Sequence, residues 1–193
     1  MNKTQRTLWI LLLILAISSF SSAAQNRPSI SPLDSVLSRF PASSNAERDS
    51  LAAEFLSLGE ESVLRACALL LPSGPLSDAQ VRYALHASCQ YVMRDGAAPE
   101  RKKFARTLVK ALRTAGETEV KAFLIRLLRL VGQEESVKPL SACLSDPALC
   151  DPAAQALASI GSPGVEKLFI KAMKKVRKSS QITLIKALGE MRS

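Results

Sequence analysis

The stretch Gly132–Gly161, GQEESVKPLSACLSDPALCDPAAQALASIG, packs two apolar stripes and a turn into about thirty residues. Val137, Leu140 and Leu144 lie at helical spacing, Asp146-Pro147 turns the chain, and Asp151-Pro152 reads as N-cap plus first-turn proline of a second helix. Ala153, Ala154, Leu157 and Ile160 then face inward, and alanines there let two helices approach closely. A hairpin this short cannot bury its own apolar faces. It constrains the chain to stack such units against one another.

Neighbouring stretches echo it. Val137 and Leu140 recur as Val165 and Leu168, 28 residues on. Ala156-Leu157 with Ile160 recurs as Ala187-Leu188 with Met191, 31 residues on, and Leu128 with Val131-Gly132 precedes Leu157 with Ile160-Gly161 by 29. Unequal turns produce drift of this size. The reading is all-α, an α-solenoid of stacked antiparallel helical hairpins.

Taken in order, residues 25–43 carry three prolines and five serines and read as an extended leader with one helical turn at Asp34 to Phe40. Residues 44–193 read as the solenoid, a capping helix and about four hairpins. Ser44 and Glu47 have capping-box spacing before Leu51, Phe55 and Leu58, and Gly59 stops that helix. The first hairpin, 59–96, places Val63, Cys67, Leu70 and Leu71 on one helix, turns at Pro72 to Pro75, and restarts from a Ser77 capping box with Val81, Leu85, Cys89 and Val92. The second, 97–132, buries Phe104, Leu108, Ala111 and Leu112, then the more apolar Val120, Phe123, Leu124, Leu127, Leu128 and Val131. The fourth starts at Ser162-Pro163 with Val165, Leu168, Phe169, Ala172, Met173 and Val176, and ends in a helix capped by Ser179 with the stripe Ile182, Ile185, Leu188 and Met191.

Val137-Lys138-Pro139-Leu140, Leu144-Ser145-Asp146-Pro147 and Ala153-Ala154-Gln155-Ala156-Leu157-Ala158-Ser159-Ile160-Gly161 resemble the HEAT repeat family, particularly its short bacterial type, similar to the repeats of phycobilin lyases. The match is good over this repeat, fair over 162–193 and loose over 59–131. The resemblance implies a binding scaffold and carries over no catalytic residue. It also implies that Pro139 is tolerated inside its helix as a kink. Cys150 stands where the family usually has an arginine that pairs with acids of adjacent repeats.

The N-terminus sets the compartment. Lys3 and Arg6 precede the apolar run Leu8 to Ile17, and the small residues up to Ala24 fit a signal-peptide cleavage site over 1–24. The alternative is a retained anchor, but the run is well short of the roughly 20 residues that span a bilayer. The mature chain is therefore expected to be exported, periplasmic or extracellular, with no membrane span after cleavage. Its charge is uneven. Residues 25–96 hold six Lys/Arg against eight Asp/Glu, and residues 97–193 hold eighteen against nine. No nucleic acid is expected outside the cell; an anionic surface or an acidic protein is the charged partner to weigh against a plainly solvated helix face.

Four cysteines in an exported chain allow disulfides. Cys143 and Cys150 flank the Asp146-Pro147 turn symmetrically and form the candidate clip; Cys67 and Cys89 are a second, less symmetric pair on apolar stripes, where a free thiol packs as a small hydrophobe. His86 lies off its helix's stripe and reads as a surface residue. There is no C-x-x-C pair, no G-x-S-x-G, no G-x-x-x-x-G-K-[ST], no G-x-G-x-x-G and no H-E-x-x-H, so no catalytic, cofactor or metal residue is assigned. The candidate anionic-partner contacts are Lys167, Lys171, Lys174, Lys175 and Lys178, read as the polar face of one amphipathic helix. Together these features point to an exported, non-enzymatic protein-interaction scaffold whose partner the sequence does not identify. The alternatives are an accessory domain or fragment of a larger exported enzyme, since the chain stops after Met191 where another hairpin is expected, and a binder of anionic polymer or membrane surface through the basic half.

Overall fold

Ten α-helices and no strand make up the described residues, 31–72 and 78–191 of a computed structural model. The signal segment read over 1–24 and the Ser77 capping box lie outside those residues. The helices are α1 (Pro32–Leu37), α2 (Asn45–Ser57), α3 (Gly59–Ala68), α4 (Ala79–Val92), α5 (Ala98–Thr114), α6 (Thr118–Val131), α7 (Glu134–Cys143), α8 (Cys150–Ile160), α9 (Val165–Met173) and α10 (Lys178–Glu190).

The stripes expected of the middle helices are the ones that pack. On α5, Phe104, Leu108, Ala111 and Leu112 are buried; on α6, Val120, Leu124, Leu127, Leu128 and Val131 are buried with Phe123 partly so. Their packing follows two rows. In one, α2 lies on α4, α4 on α6, α6 on α8 and α8 on α10; in the other, α3 lies on α5 and α5 on α7. The rows are tied by α2–α3, α4–α5, α5–α6, α7–α8 and α9–α10. Helix α6, rich in large apolar residues, is sandwiched by α4 and α8 within its row. Helix α3 packs closely on α2 and α5 and not on α4, so the hairpin read over 59–96 is opened and its two helices serve different rows.

The leader is not extended throughout. Pro32 sits at the start of α1, where a missing N–H is harmless, and Leu33, Val36, Leu37 and Phe40 enter the common core as α1 packs on α2 and α4. Pro32 thus opens the compact unit that contains all ten helices. At α2, Ser44 Oγ accepts the Glu47 N–H at 3.2 Å, but the Glu47 carboxylate takes the Ser43 N–H at 2.7 Å, one residue before the expected reciprocal partner.

Several helix starts and faces differ from expectation. Helix α8 begins at Cys150 with Leu149 at its N-cap, so Asp151 and Pro152 lie inside the first turn, where backbone N–H groups lack helical partners anyway. The capping is done upstream: Asp146 Oδ1 accepts the Ala148 N–H at 2.9 Å and the Asp146 carbonyl accepts the Cys150 N–H at 2.8 Å. Ser162 does not cap α9; its hydroxyl donates to Glu134 on α7, while Gly164 precedes the helix at φ 94°. Helix α10 begins at Lys178, one residue before the expected Ser179 cap. It turns Ser180, Leu184 and Ala187 inward, leaving Ile182 at 56% and Ile185 at 59% exposure. Beyond the end of α3 at Ala68, Leu70 is buried but Leu71 is exposed.

Candidate functional site

The five candidate lysines do not share one helix. Lys167 and Lys171 lie on α9, Lys174 and Lys175 in the turn after it, and Lys178 opens α10. All five are exposed. Lys171 and Lys175 meet across a cleft of about 220 Å³ from Ser141, Leu144 and Ser145 at the end of α7, whereas Lys167, Lys174 and Lys178 are not part of that cleft. The chain breaks here because α9 ends at Met173, too short to carry the whole run.

The cysteines of the candidate clip are free, as are Cys67 and Cys89. Cys143 is half-buried, with its thiol directed back along α7 toward the Pro139 carbonyl, 3.6 Å away. Cys150 is buried and hydrogen-bonded to the Ser180 side chain of α10, so the two thiols take partners on different elements. That position, where the HEAT-like pattern has an arginine, is closed to solvent by α10. Burial pushes the Cys67 and Cys89 thiols up to about 12 and raises Cys143 and Cys150 as well. Cys89 faces the Leu127 carbonyl of α6 at 4.0 Å. None is a ready thiolate at neutral pH.

His86 is exposed on α4 and lines a cleft of about 320 Å³ with Tyr83, Gln90, Arg48 and Asn45. Arg48 is already held by Asp49 at 2.8 Å and Asn45 at 3.0 Å. Another cleft, about 250 Å³, lies between Leu56, Val63, Tyr91 and Phe104. Three of its charged residues are paired: Arg94 stacks over Tyr91 at 3.7 Å and reaches Glu100 at 3.5 Å, and Glu60 accepts from Lys110, which lies outside the cleft.

Arginine is used chiefly to join helices. Arg82 binds Asp78 at 2.8 Å and the Leu71 carbonyl at 2.7 Å and lies over the Phe123 ring of α6. Arg101 of α5 binds the Val131 carbonyl at the end of α6, and Arg129 of α6 binds Gln155 of α8 at 2.8 Å. Sequence spacing did not reveal these roles, because each arginine reaches a group on another helix.

A different set of cations converges with no ion-pair partner among the described residues. Arg113 from the end of α5, Lys121 from the first turn of α6 and Lys138 from α7 line a cleft of about 410 Å³ with Leu112, Pro139, Cys143 and Leu149. Sequence spacing alone assigns none of the three a binding role. Only the packing of α5 against both α6 and α7 brings them together.

Among the described residues no group of His, Cys, Asp and Glu is arranged to hold a metal ion, and no helix is long and apolar enough to cross a membrane. No family model matches the chain, and no curated protein does.

Proposed function

We propose that this chain is an exported, non-enzymatic interaction scaffold built as a HEAT-like α-solenoid. The observation that carries the reading is the row α2–α4–α6–α8–α10, in which each helix packs on the next alternate helix, alongside α3–α5–α7. Nearest-neighbour packing of this kind is how a solenoid is stabilised, and it leaves long exposed faces for a partner. The apolar run over 8–17 and the small residues after it support export. The clefts are lined by paired charges, buried thiols of raised pKa or unpartnered cations, an inventory that suits recognition better than bond-breaking.

The test is affinity capture of the chain from the exported fraction of its source cell after mild cross-linking. The proposal expects a mature chain beginning near Gln25 and a recurrent protein partner. Recovery from the cytosol with residues 1–24 intact, or a pure chain that turns over substrate, contradicts it.

Ile182 and Ile185 favour a second reading. Two exposed isoleucines on α10 form an apolar face that a further helical unit could cover, as in an accessory domain of a larger exported enzyme. Solubility of the isolated chain that improves on Ile182→Lys and Ile185→Lys supports that reading; indifference to both changes argues against it.

A further inference from the structure

The cleft at Arg113, Lys121 and Lys138 gathers three cations, against two in the cleft at Lys171 and Lys175. Its cations come from three consecutive helices, α5, α6 and α7, and meet around one concavity of about 410 Å³. Among the described residues none of the three has a carboxylate at ion-pair distance. By contrast, Arg82, Arg94, Arg101, Arg129 and Lys110 are each held by a named partner. The cleft has one carboxylate of its own, Asp146, whose Oδ1 is engaged by the Ala148 N–H. Three cations against one anion leave an excess of positive charge facing low-dielectric walls, which focuses the field on whatever enters. Lys121 is close enough to Cys143 to pull against the burial that raises its thiol.

The walls select among anions. Leu112 and Leu149 are buried at the floor, and Pro139 and Ala142 complete an apolar side. An inorganic anion or a sulfated sugar has no group to place there. An acidic peptide with an apolar side chain does.

We infer that this cleft binds a short acidic peptide segment of a protein partner, its carboxylates on Arg113, Lys121 and Lys138 and an apolar side chain against Leu112, Pro139 and Leu149. The inference rests on the scaffold reading and gives that scaffold a recognition chemistry.

The test uses the full mature chain and a short fluorescein-labelled peptide of alternating Asp and Leu, read by anisotropy. Saturable binding is expected, weakening as salt is raised. Lys121→Gln and Arg113→Gln should each weaken it about fivefold to tenfold, and Ala142→Asp, at an exposed wall position, should abolish it by opposing charge. Lys186→Gln, at an exposed position on α10, should leave it unchanged. The peptide should also slow alkylation of Cys143. Circular dichroism of each variant separates loss of binding from loss of fold. Binding that survives Lys121→Gln and Ala142→Asp in folded protein overturns the assignment. So does heparin or an anionic vesicle that occupies the same cleft more tightly than the peptide. If the intact chain captures a protein partner equally well with the cleft mutated, this inference fails and the scaffold reading stands. If the unmutated chain captures none, the scaffold reading itself fails.

Discussion

Arg101, in the first turn of α5, donates its Nε–H to the carbonyl of Val131 at the last residue of α6, 2.9 Å away. Its Nη2 also lies near the Leu130 and Gly132 carbonyls, at 3.5 and 3.4 Å. The last carbonyls of a helix lack intrahelical donors and carry the negative end of its dipole, so a guanidinium there satisfies both needs. It ties the start of α5 to the end of the helix that follows it.

Arg101→Ala therefore removes a charge-assisted bond and exposes the carbonyls to water, and should lower stability by about 1–2 kcal/mol. Arg101→Lys keeps the charge but loses the planar fork and should recover only part of that. Urea unfolding of the two variants checks the order.

The glycines bounding the most regular hairpin do different jobs. Gly161 ends α8 at φ 60°, and its N–H bonds the Leu157 carbonyl. Gly161→Ala should lose about 1 kcal/mol from the left-handed backbone. Gly132 has an ordinary φ, but a Cβ there would lie 2.4 Å from the Leu128 carbonyl oxygen and 3.1 Å from Ile160 Cδ1. Gly132→Ala should cost more, about 2 kcal/mol or above, because backbone must shift. A thermal melt in which Gly161→Ala is the more damaging change would contradict this account of the two turns.

Between them these residues show what the sequence could and could not reveal. The stripes of α5 and α6 were legible because large apolar residues recur at helical spacing and packing confirms each of them. Helix α10 was legible only in part: Leu188 and Met191 of the expected stripe pack against the core, whereas Ile182 and Ile185 face outward and Ser180, Leu184 and Ala187 are buried in their place. Helix α1 was legible as one helical turn at Asp34 to Phe40, but its start at Pro32 and the packing of Leu33, Val36, Leu37 and Phe40 into the core were not. The basic cluster was visible as composition but not as geometry. Lysines adjacent in sequence were split by a turn, while Arg113, Lys121 and Lys138, distant in sequence, were gathered by packing.

Asp78 should make stability acid-sensitive. Burial alone would raise its carboxyl, but the Arg82 guanidinium and the Leu71 N–H outweigh it and hold the group below its usual 3.8. A carboxyl depressed in the folded state contributes stability that is fully present above its unfolded value and drains away as pH falls through the folded one. The loss should therefore appear below about pH 4. Asp78→Asn should remove that part of the pH dependence and weaken the protein at neutral pH; chemical denaturation from pH 7 down to pH 3 reads both.

Ser136 offers a gain. It is fully buried in α7, and its Oγ has no hydrogen-bond partner among the described residues. A buried hydroxyl left unpaired is unfavourable, so Ser136→Ala should be neutral or stabilising by up to about 1 kcal/mol. A clear loss in midpoint would mean that the hydroxyl has a partner, such as an ordered water.

The central claim is that these stacked helices form an exported scaffold that works by holding another protein. Cross-linking mass spectrometry on the chain in its native exported fraction tests it most directly. The account predicts a mature N-terminus near Gln25 and reproducible cross-links from this chain, Lys121 and Lys138 among the linked residues, to one protein partner. A chain found in the cytosol with residues 1–24 attached, or an exported chain with no cross-linked partner, would contradict it.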